Sequence, residues 1–254
     1  MIGKELPNCF VYYRPKDIVS GDFYWIKNIQ NKILIAAVDC TGHGVPGGFV
    51  SMVGYSGLNR AVSEYQLTEP GEILEKLSDL VTEAFDDGSN TGIKDGMDAA
   101  ICSLDPSNLI LHFSGANNPL YIIRHNKKPL QTPNGDAIEA KILEELYEIK
   151  GTRRPVGSSD YKEPFLNKEI QLEKDDIIYL FTDGYPDQFG GAKGKKLMYK
   201  PFKRMLLSYS KLPMEEQREN LELAFNKWKQ EHYQIDDICI IGIRVCLESR
   251  PITI

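Results

Sequence analysis

The chain has 254 residues, a formal net charge of −6 and 42% hydrophobic residues. This length and apolar content suit a single domain, 1–254, with a sizeable core at about 9–247. No apolar run approaches the roughly 18 residues of a membrane span, and the acidic balance argues against a nucleic-acid partner. We therefore expect no membrane contact by this domain and no nucleic-acid binding.

The first part of the chain predicts strands, two of which form a hairpin. These strands are expected at 10–13, 22–29 and 32–39. Turn residues at 28–31 join the last two strands. Because one strand begins with Asp22 and its partner ends with Asp39, the hairpin places both carboxylates at the same end of the sheet.

Two helices are predicted next. Pro46 suits the first turn of a helix that ends at about residue 64, and a second helix is expected at 70–85. In the first helix, apolar side chains recur near helical spacing at Phe49, Met52, Val53, Leu58 and Val62. We interpret the apolar stripes of both helices as core faces rather than partner sites.

The remainder of the chain predicts more strands, two helices and a last strand. Strands are expected at 98–104, 109–114, 120–124, 168–172, 177–181 and 238–245, helices at 200–208 and 213–231, and loops at 86–96 and 190–196. The stretch 137–145 suits either a helix or a strand. This blockwise order favours an α+β fold with two stacked, mainly antiparallel sheets and helix pairs outside them.

Cysteine usage points to a reducing compartment. The five cysteines have neither the spacing of a zinc site nor that of a disulfide framework. Most lie in apolar strand-like contexts, where free cysteine is usually a small buried hydrophobe. We expect a cytoplasmic location. Because a strand follows Met1 so closely, a piece cut from the C-terminal end of a longer protein would also look like this.

Acidic residues mark the ends of several predicted strands. They are Asp22, Asp39, Asp183 and the pair Asp236-Asp237. Carboxylates that converge repel one another unless a cation neutralises them, and Mg²⁺ or Mn²⁺ takes carboxylate oxygens plus water. The pattern therefore predicts a metal centre, although each aspartate alone would also suit an ordinary turn. Asp98 begins another strand and would line this site or hold an additional ion.

Four motifs in this order resemble those of a known enzyme family. They are Gly21-Asp-Phe-Tyr24, Val38-Asp-Cys-Thr-Gly-His-Gly-Val-Pro-Gly47, Phe181-Thr-Asp-Gly184 and Asp236-Asp-Ile238. With them the chain resembles the stage II sporulation protein E-type phosphatases, the bacterial branch of the metal-dependent protein serine/threonine phosphatases (PPM, type 2C). The resemblance implies an α-β-β-α sandwich, two Mn²⁺ or Mg²⁺ ions with a third as an option, and hydrolysis of phosphoserine or phosphothreonine on a protein.

The resemblance also implies roles for individual residues. It gives catalytic and metal-binding roles to Asp22, Asp39, Asp183 and Asp236. Asp39 would bridge both metals, and the main-chain carbonyl of Cys40 would be a further ligand. Asp22 would reach the metals through water. Within the last acidic pair we favour Asp236 as the ligand and keep Asp237 as the alternative.

Substrate contacts are less clearly marked in the sequence. We predict Arg14, His43 and Asn117 as substrate-binding residues. Arg14 is a poor match to the phosphate-binding arginine of eukaryotic relatives, and two extra residues separate Asp39 from Gly42-His43, so the general-acid role of their histidine does not transfer. A structural loop role is the alternative for His43. The Gly115-Ala-Asn-Asn-Pro119 turn resembles a family loop near the active face.

We predict a metal-dependent protein serine/threonine phosphatase that uses a water activated by two ions. The resemblance implies an upstream sensor or regulatory domain, a phosphorylated anti-sigma factor antagonist of the STAS type as substrate, and a homodimer as one regulatory option. The alternatives are a non-catalytic module that binds a phosphoprotein, a metallohydrolase of small phosphate esters, and a domain that is inactive and weakly metallated in isolation. A nucleophilic Cys40 is disfavoured, because no arginine-containing phosphate loop surrounds it.

Overall fold

The computed structural model describes residues 6, 8–85, 96–157 and 163–246. The strands in chain order are β1 (Cys9–Arg14), β2 (Phe23–Ile29), β3 (Lys32–Cys40), β4 (Met97–Asp105), β5 (Ile110–Ala116), β6 (Leu120–Ile123), β7 (Lys141–Leu143), β8 (Leu146–Ile149), β9 (Lys168–Gln171), β10 (Ile177–Phe181), β11 (Phe189–Gly190), β12 (Lys195–Lys196) and β13 (Ile238–Arg244). The helices are α1 (Gly44–Ser63), α2 (Pro70–Phe85), α3 (Gly184–Asp187), α4 (Tyr199–Tyr209) and α5 (Met214–Lys229).

Two antiparallel sheets form the centre of the molecule. One has the strand order β1-β13-β10-β6-β8-β7 and the other the order β2-β3-β4-β5-β9. Their facing side chains share one core, in which Ile35 and Phe113 of the second sheet join Leu180 and Ile241 of the first. Burial of this layer explains why the strands are apolar on both faces.

Helix pairs cover the outer faces of both sheets. Helices α1 and α2 pack on the five-stranded sheet, with Leu58 and Leu77 in one core. Helices α4 and α5 cover the six-stranded sheet, where Phe202 and Phe225 share one core with Tyr179. The α+β sandwich with stacked sheets and outer helix pairs is therefore confirmed.

The outward face of α1 differs from the prediction. Phe49 and Met52 are 64% and 69% exposed, so their assignment to a core face was wrong. The buried face instead contains glycines, and a side chain at Gly57 would lie 2.6 Å from Leu77 of α2. Helix α1 carries apolar residues on both sides, so apolar character alone does not determine which side is buried. The glycine side is buried because it lets the neighbouring helix approach closely.

Short strands account for the remaining differences. The stretch 137–145 contains β7, which forms a hairpin with the unpredicted β8. The predicted flexible loop at 190–196 is instead part of a small hairpin of β11 and β12, held by the Gly191 N–H bonding to Trp228. Most of the predicted loop 86–96 lies outside the described residues. Of the helices in the described ranges, none has the length and apolar character needed to cross a membrane.

Candidate active site

Three carboxylates lie at one end of the five-stranded sheet. The register pairs Phe23 with Val38, so Asp22 and Asp39 follow as the next positions of the β2-β3 ladder. Asp98 on β4 pairs directly with Asp39. Neighbouring strands thus bring all three side chains to the same sheet end, which is where the hairpin prediction placed Asp22 and Asp39.

The six-stranded sheet brings two more carboxylates to this place. Asp183 follows β10 and Asp236 precedes β13, and these two strands are hydrogen-bonded neighbours. Gly184 permits the approach, because a Cβ there would collide with the main-chain oxygen of Asp237. Carboxylates from both sheets consequently meet at one end of the sandwich.

The electrostatics show how closely these groups lie. Burial raises the pKa of Asp39 well above its usual range, and the carboxylates of Asp22, Asp183 and Asp236 raise it further. Burial is also the largest cause of the raised pKa values of Asp22 and Asp183, with neighbouring carboxylates adding to it. A divalent cation would relieve this repulsion.

The buried oxygen of Asp22 tests whether a cation fits. Asp22 is 3% exposed, and its Oδ2 has no hydrogen-bond partner among the described residues. The nearby Thr182 hydroxyl, which donates to the Cys239 carbonyl at 3.4 Å, partly opposes the rise in the pKa of Asp22. An unsatisfied buried carboxylate oxygen is costly without a cation or water. The all-oxygen donor set suits Mg²⁺ or Mn²⁺ better than zinc.

The carboxylates converge without forming a compact ligand set. Within 8–85, 96–157 and 163–246, no three Asp, Glu, His or Cys side chains are already drawn together tightly enough to enclose an ion. The ligands would move closer when a cation offsets their charge.

Glycines bring the loop after β3 close to Asp22. A side chain at Gly21 would collide with the carbonyl oxygen of Gly42 and lie 3.4 Å from that of Cys40. Gly42 has a φ of 84°, which few other residues adopt. The Cys40 carbonyl is therefore a candidate ligand. Burial raises the pKa of the Cys40 thiol well above its usual range, the opposite of what a nucleophile requires.

Comparison with known proteins decides the family. The sequence pattern of the family "Stage II sporulation protein E (SpoIIE)" matches residues 30–246. The chain belongs to the SpoIIE family. The SiaA-PP2C domain of Pseudomonas aeruginosa is 30% identical, with a TM-score of 0.81 over 96% of this chain and 88% of that chain. No curated protein matches.

More distant solved structures share the fold of this SpoIIE-family chain. The RsbU and RsbW domains of Rv1364c from Mycobacterium tuberculosis give 16% identity and a TM-score of 0.68, covering 96% of this chain and 62% of that chain. The PP2C phosphatase domain of SpoIIE from Bacillus subtilis, solved with a fragment of its regulatory domain, gives 15% identity and a TM-score of 0.68, covering 96% and 63%. The fold is thus that of the PP2C-type serine/threonine phosphatases.

The two members of the last acidic pair have different surroundings. Both oxygens of Asp237 accept main-chain N–H groups, from Lys16 at 2.7 Å and from Gly21 at 2.8 Å. Asp237 therefore holds the loop between β1 and β2. Asp236 is half-buried, and its Oδ1 accepts the N–H of Asp237 at 2.9 Å. This geometry favours Asp236 as the member of the pair available to a metal.

Two of the three predicted substrate-binding residues lie at the site of this SpoIIE-family chain. Asn117 donates from Nδ2 to Asp98 Oδ1 at 2.7 Å. His43 stands at the N-cap position of α1, where its ring contacts Asp17 and Lys16. Both side chains therefore border the group of carboxylates.

Arg14 is not brought to the carboxylates. Its Nη1 donates to Asn226 Oδ1 at 2.7 Å, and its guanidinium lies 5.2 Å from the ring centre of Phe225. Both partners belong to α5. The alternation of β1 places Arg14 on the same face as Phe10 and Tyr12, which pack under the helices.

Sequence reasoning missed three polar residues at the site. Thr182 lies inside the quoted Phe-Thr-Asp-Gly motif, so its position was visible, but its effect on the pKa of Asp22 was not. Lys16 and Asp17 carried no motif signal beyond lying in the loop before Asp22. Their contacts with His43 join loops 27 and 26 residues apart in the chain.

Proposed function

We propose that this chain is a divalent-metal-dependent protein serine/threonine phosphatase. The observation that carries the proposal is the convergence of Asp22, Asp39, Asp183 and Asp236 from both sheets, with a buried oxygen of Asp22 left unpartnered. Membership of the SpoIIE family and the PP2C-type fold support it. On this view 1–254 forms one phosphatase domain, the output unit of a longer cytoplasmic signalling protein.

Two Mn²⁺ or Mg²⁺ ions fit the donor set. Asp39 would be the central ligand, as the family resemblance implies, and its carboxylate lies among those of Asp22, Asp183 and Asp236. Asp183 and Asp236 approach from the other sheet, and the Cys40 carbonyl adds a neutral oxygen. When bound, such ions lower the pKa of water and neutralise charge on phosphoryl oxygens.

A further carboxylate extends the site towards β4. Asp98 lies across from Asp39, and Asn117 fixes its Oδ1 by a hydrogen bond. Burial raises the pKa of Asp98, and the bond from Asn117 opposes that rise. We assign Asp98 to a third ion and Asn117 to the substrate.

The protein side chains favour attack by water over attack by a protein nucleophile. The Cys40 thiol is buried and held protonated beside carboxylates. A protonated, buried thiol is a poor nucleophile. A carboxylate among Asp39 and its neighbours would accept the proton that an attacking water releases, as the bond from phosphorus to the serine or threonine oxygen breaks. Hydrolysis without a covalent enzyme intermediate follows from this arrangement.

The substrate we propose is a phosphorylated protein, of the STAS-type anti-sigma factor antagonist class. Support comes from relatives of this fold, one of which carries RsbU and RsbW domains and another a regulatory fragment. An upstream regulatory domain and a homodimer would control activity.

Phosphate release from a phosphoserine peptide with Mn²⁺ tests the proposal. We expect Asp39→Asn and Asp183→Asn to abolish release, whereas Asp175→Asn, an exposed position at the opposite end of β10, leaves it unchanged. Preferential cleavage of a small phosphate ester or a nucleotide would instead support a different metallohydrolase. Peptide binding without release at saturating Mn²⁺ would support a binding module.

A further inference from the structure

A lysine side chain borders the candidate site without a carboxylate partner. Lys16 lies in the loop between β1 and β2, and its main-chain N–H is fixed by Asp237. Its Nζ lies 2.8 Å from Nε2 of His43. Among the described residues, no carboxylate oxygen lies within 4.0 Å of this ammonium group.

The contacts of His43 determine how the lysine is held. His43 Nδ1 lies 3.0 Å from Asp17 Oδ2. A carboxylate only accepts hydrogen bonds, so Nδ1 carries the proton and Nε2 is left as an acceptor for the Lys16 ammonium. A protonated imidazole would repel that ammonium. Asp17 thus fixes the tautomer of His43, and His43 in turn directs Lys16.

Backbone conformation keeps these three side chains together. Gly44 has a φ of 65°, and a Cβ at Gly44 would lie 3.3 Å from Oδ2 of Asp17. Asp17 is therefore seated against the first turn of α1, where a negative charge is favourable. The main-chain N–H of Lys16 donates to Asp237, the neighbour of Asp236, at 2.7 Å, which places the lysine at the same end of the sandwich as the carboxylates.

Other basic side chains near the site are already engaged. Lys196 also lies near Asp183 and Asp236, but its Nζ is 2.7 Å from Oδ2 of Asp187. Arg154 is bound to a glutamate of α2, and Arg14 is turned to α5. Of these four basic side chains, Lys16 is thus the one that is bound only to a neutral group.

We propose that Lys16 binds the phosphoryl oxygens of the substrate, with Asp17 and His43 as positioning residues that orient its ammonium group. The inference rests on the proposed phosphatase function. A phosphate monoester dianion is repelled by a carboxylate-lined site, and a directed ammonium offsets that repulsion with a charge-assisted hydrogen bond. Lys16 would thus take the phosphate-binding role predicted for Arg14, whose side chain contacts α5 instead.

Matched lysine variants test the assignment. Lys16→Met and Lys196→Met each remove one positive charge near the same carboxylates. At saturating Mn²⁺ we expect Lys16→Met to lower kcat/KM for a phosphoserine peptide about ten- to hundredfold and to weaken inhibition by inorganic phosphate in parallel. Lys196→Met should change both by less than about threefold, and Lys16→Arg should retain more activity than Lys16→Met.

The positioning residues have their own readouts. Asp17→Asn and His43→Asn should raise KM by about three- to tenfold with kcat little changed, because the lysine remains but is less well directed. In metal-free labelled protein, the ¹⁵N shifts of His43 should show the Nδ1–H tautomer, and Asp17→Asn should shift the tautomer balance. The Mn²⁺ concentration that gives half-maximal activity should not change in Lys16→Met.

The outcomes separate this inference from the proposed function. Equal losses in Lys16→Met and Lys196→Met would reduce the effect to general electrostatics and overturn the role of Lys16, as would a Lys16→Met variant equal to the parent. A parent without phosphatase activity would refute the proposed function instead. In that case, calorimetry of inorganic phosphate binding with Mn²⁺ would still test the role of Lys16. This role requires Lys16→Met to bind phosphate more weakly than the parent does.

Discussion

At the scale of single residues, Asp39 is the carboxylate of the candidate site that experiences repulsion from the other four. Its carboxylate is surrounded by those of Asp22, Asp183, Asp236 and Asp98, and burial strengthens every one of these repulsions. In metal-free protein this arrangement opposes folding. The site is therefore expected to be a source of instability that a divalent cation reverses.

Asp39→Asn should stabilise the metal-free protein. The pKa of Asp39 is raised on folding, so its ionised form is penalised at every pH above the unfolded value of about 3.9. The gain from the variant should be about 1 kcal/mol or more at pH 8 and should shrink as the pH falls towards 4. Thermal unfolding with a chelator across this range measures it. A variant less stable than the parent at pH 8 would contradict the reasoning.

A buried ion pair at the other end of the sheet behaves differently. Arg124 donates from Nε to Asp176 Oδ1 at 2.9 Å, and both side chains are almost fully buried. We expect Asp176→Asn to lower the free energy of unfolding by about 3 kcal/mol, because it leaves a buried guanidinium without a charged partner. Asp175→Asn, the exposed neighbour, is the control and should change little. Urea unfolding of both variants measures the two changes. Equal losses in the free energy of unfolding would refute the stabilising role of the ion pair.

At the scale of elements, helix α1 has two apolar faces, of which one is buried and the other is exposed. The face containing Leu58, Ala61 and Val62 is buried against the sheet and α2. The other face leaves Phe49 and Met52 exposed. Burial rather than composition determines what each side chain contributes to folding.

Leu58→Ala and Met52→Ala should therefore differ in stability. Leu58 is fully buried, and its truncation should cost about 2–5 kcal/mol through lost burial and the cavity left behind. Met52→Ala should change the free energy of unfolding by about 0.5 kcal/mol or less. Chemical denaturation measures both. Similar losses at the two positions would show that the outward face is also packed in solution.

At the scale of the whole molecule, the candidate site exists because two sheets meet. Asp22 and Asp39 belong to the five-stranded sheet, whereas Asp183 and Asp236 belong to the six-stranded sheet. The sequence predicted this convergence because each aspartate lies at the end of a predicted strand, and apolar runs with turn residues between them located the strands. The blockwise order of strands and helices was enough to predict the sandwich.

Other features depend on information that local patterns lack. Both faces of α1 are apolar, so periodicity could not decide which would be buried, and close approach through glycine settled it. The contact of Lys16 with His43 joins two loops that no motif links. Arg14 could have been assigned to the helix side from strand alternation alone, since Phe10 and Tyr12 share its face.

The most direct test of the central claim is anomalous diffraction from crystals of this chain grown with millimolar Mn²⁺. We predict Mn²⁺ peaks within bonding distance of Asp39, with Asp183 and Asp236 as further ligands, and their loss in Asp39→Asn crystals. Crystals of the active parent protein that show no Mn²⁺ at these carboxylates would contradict the account.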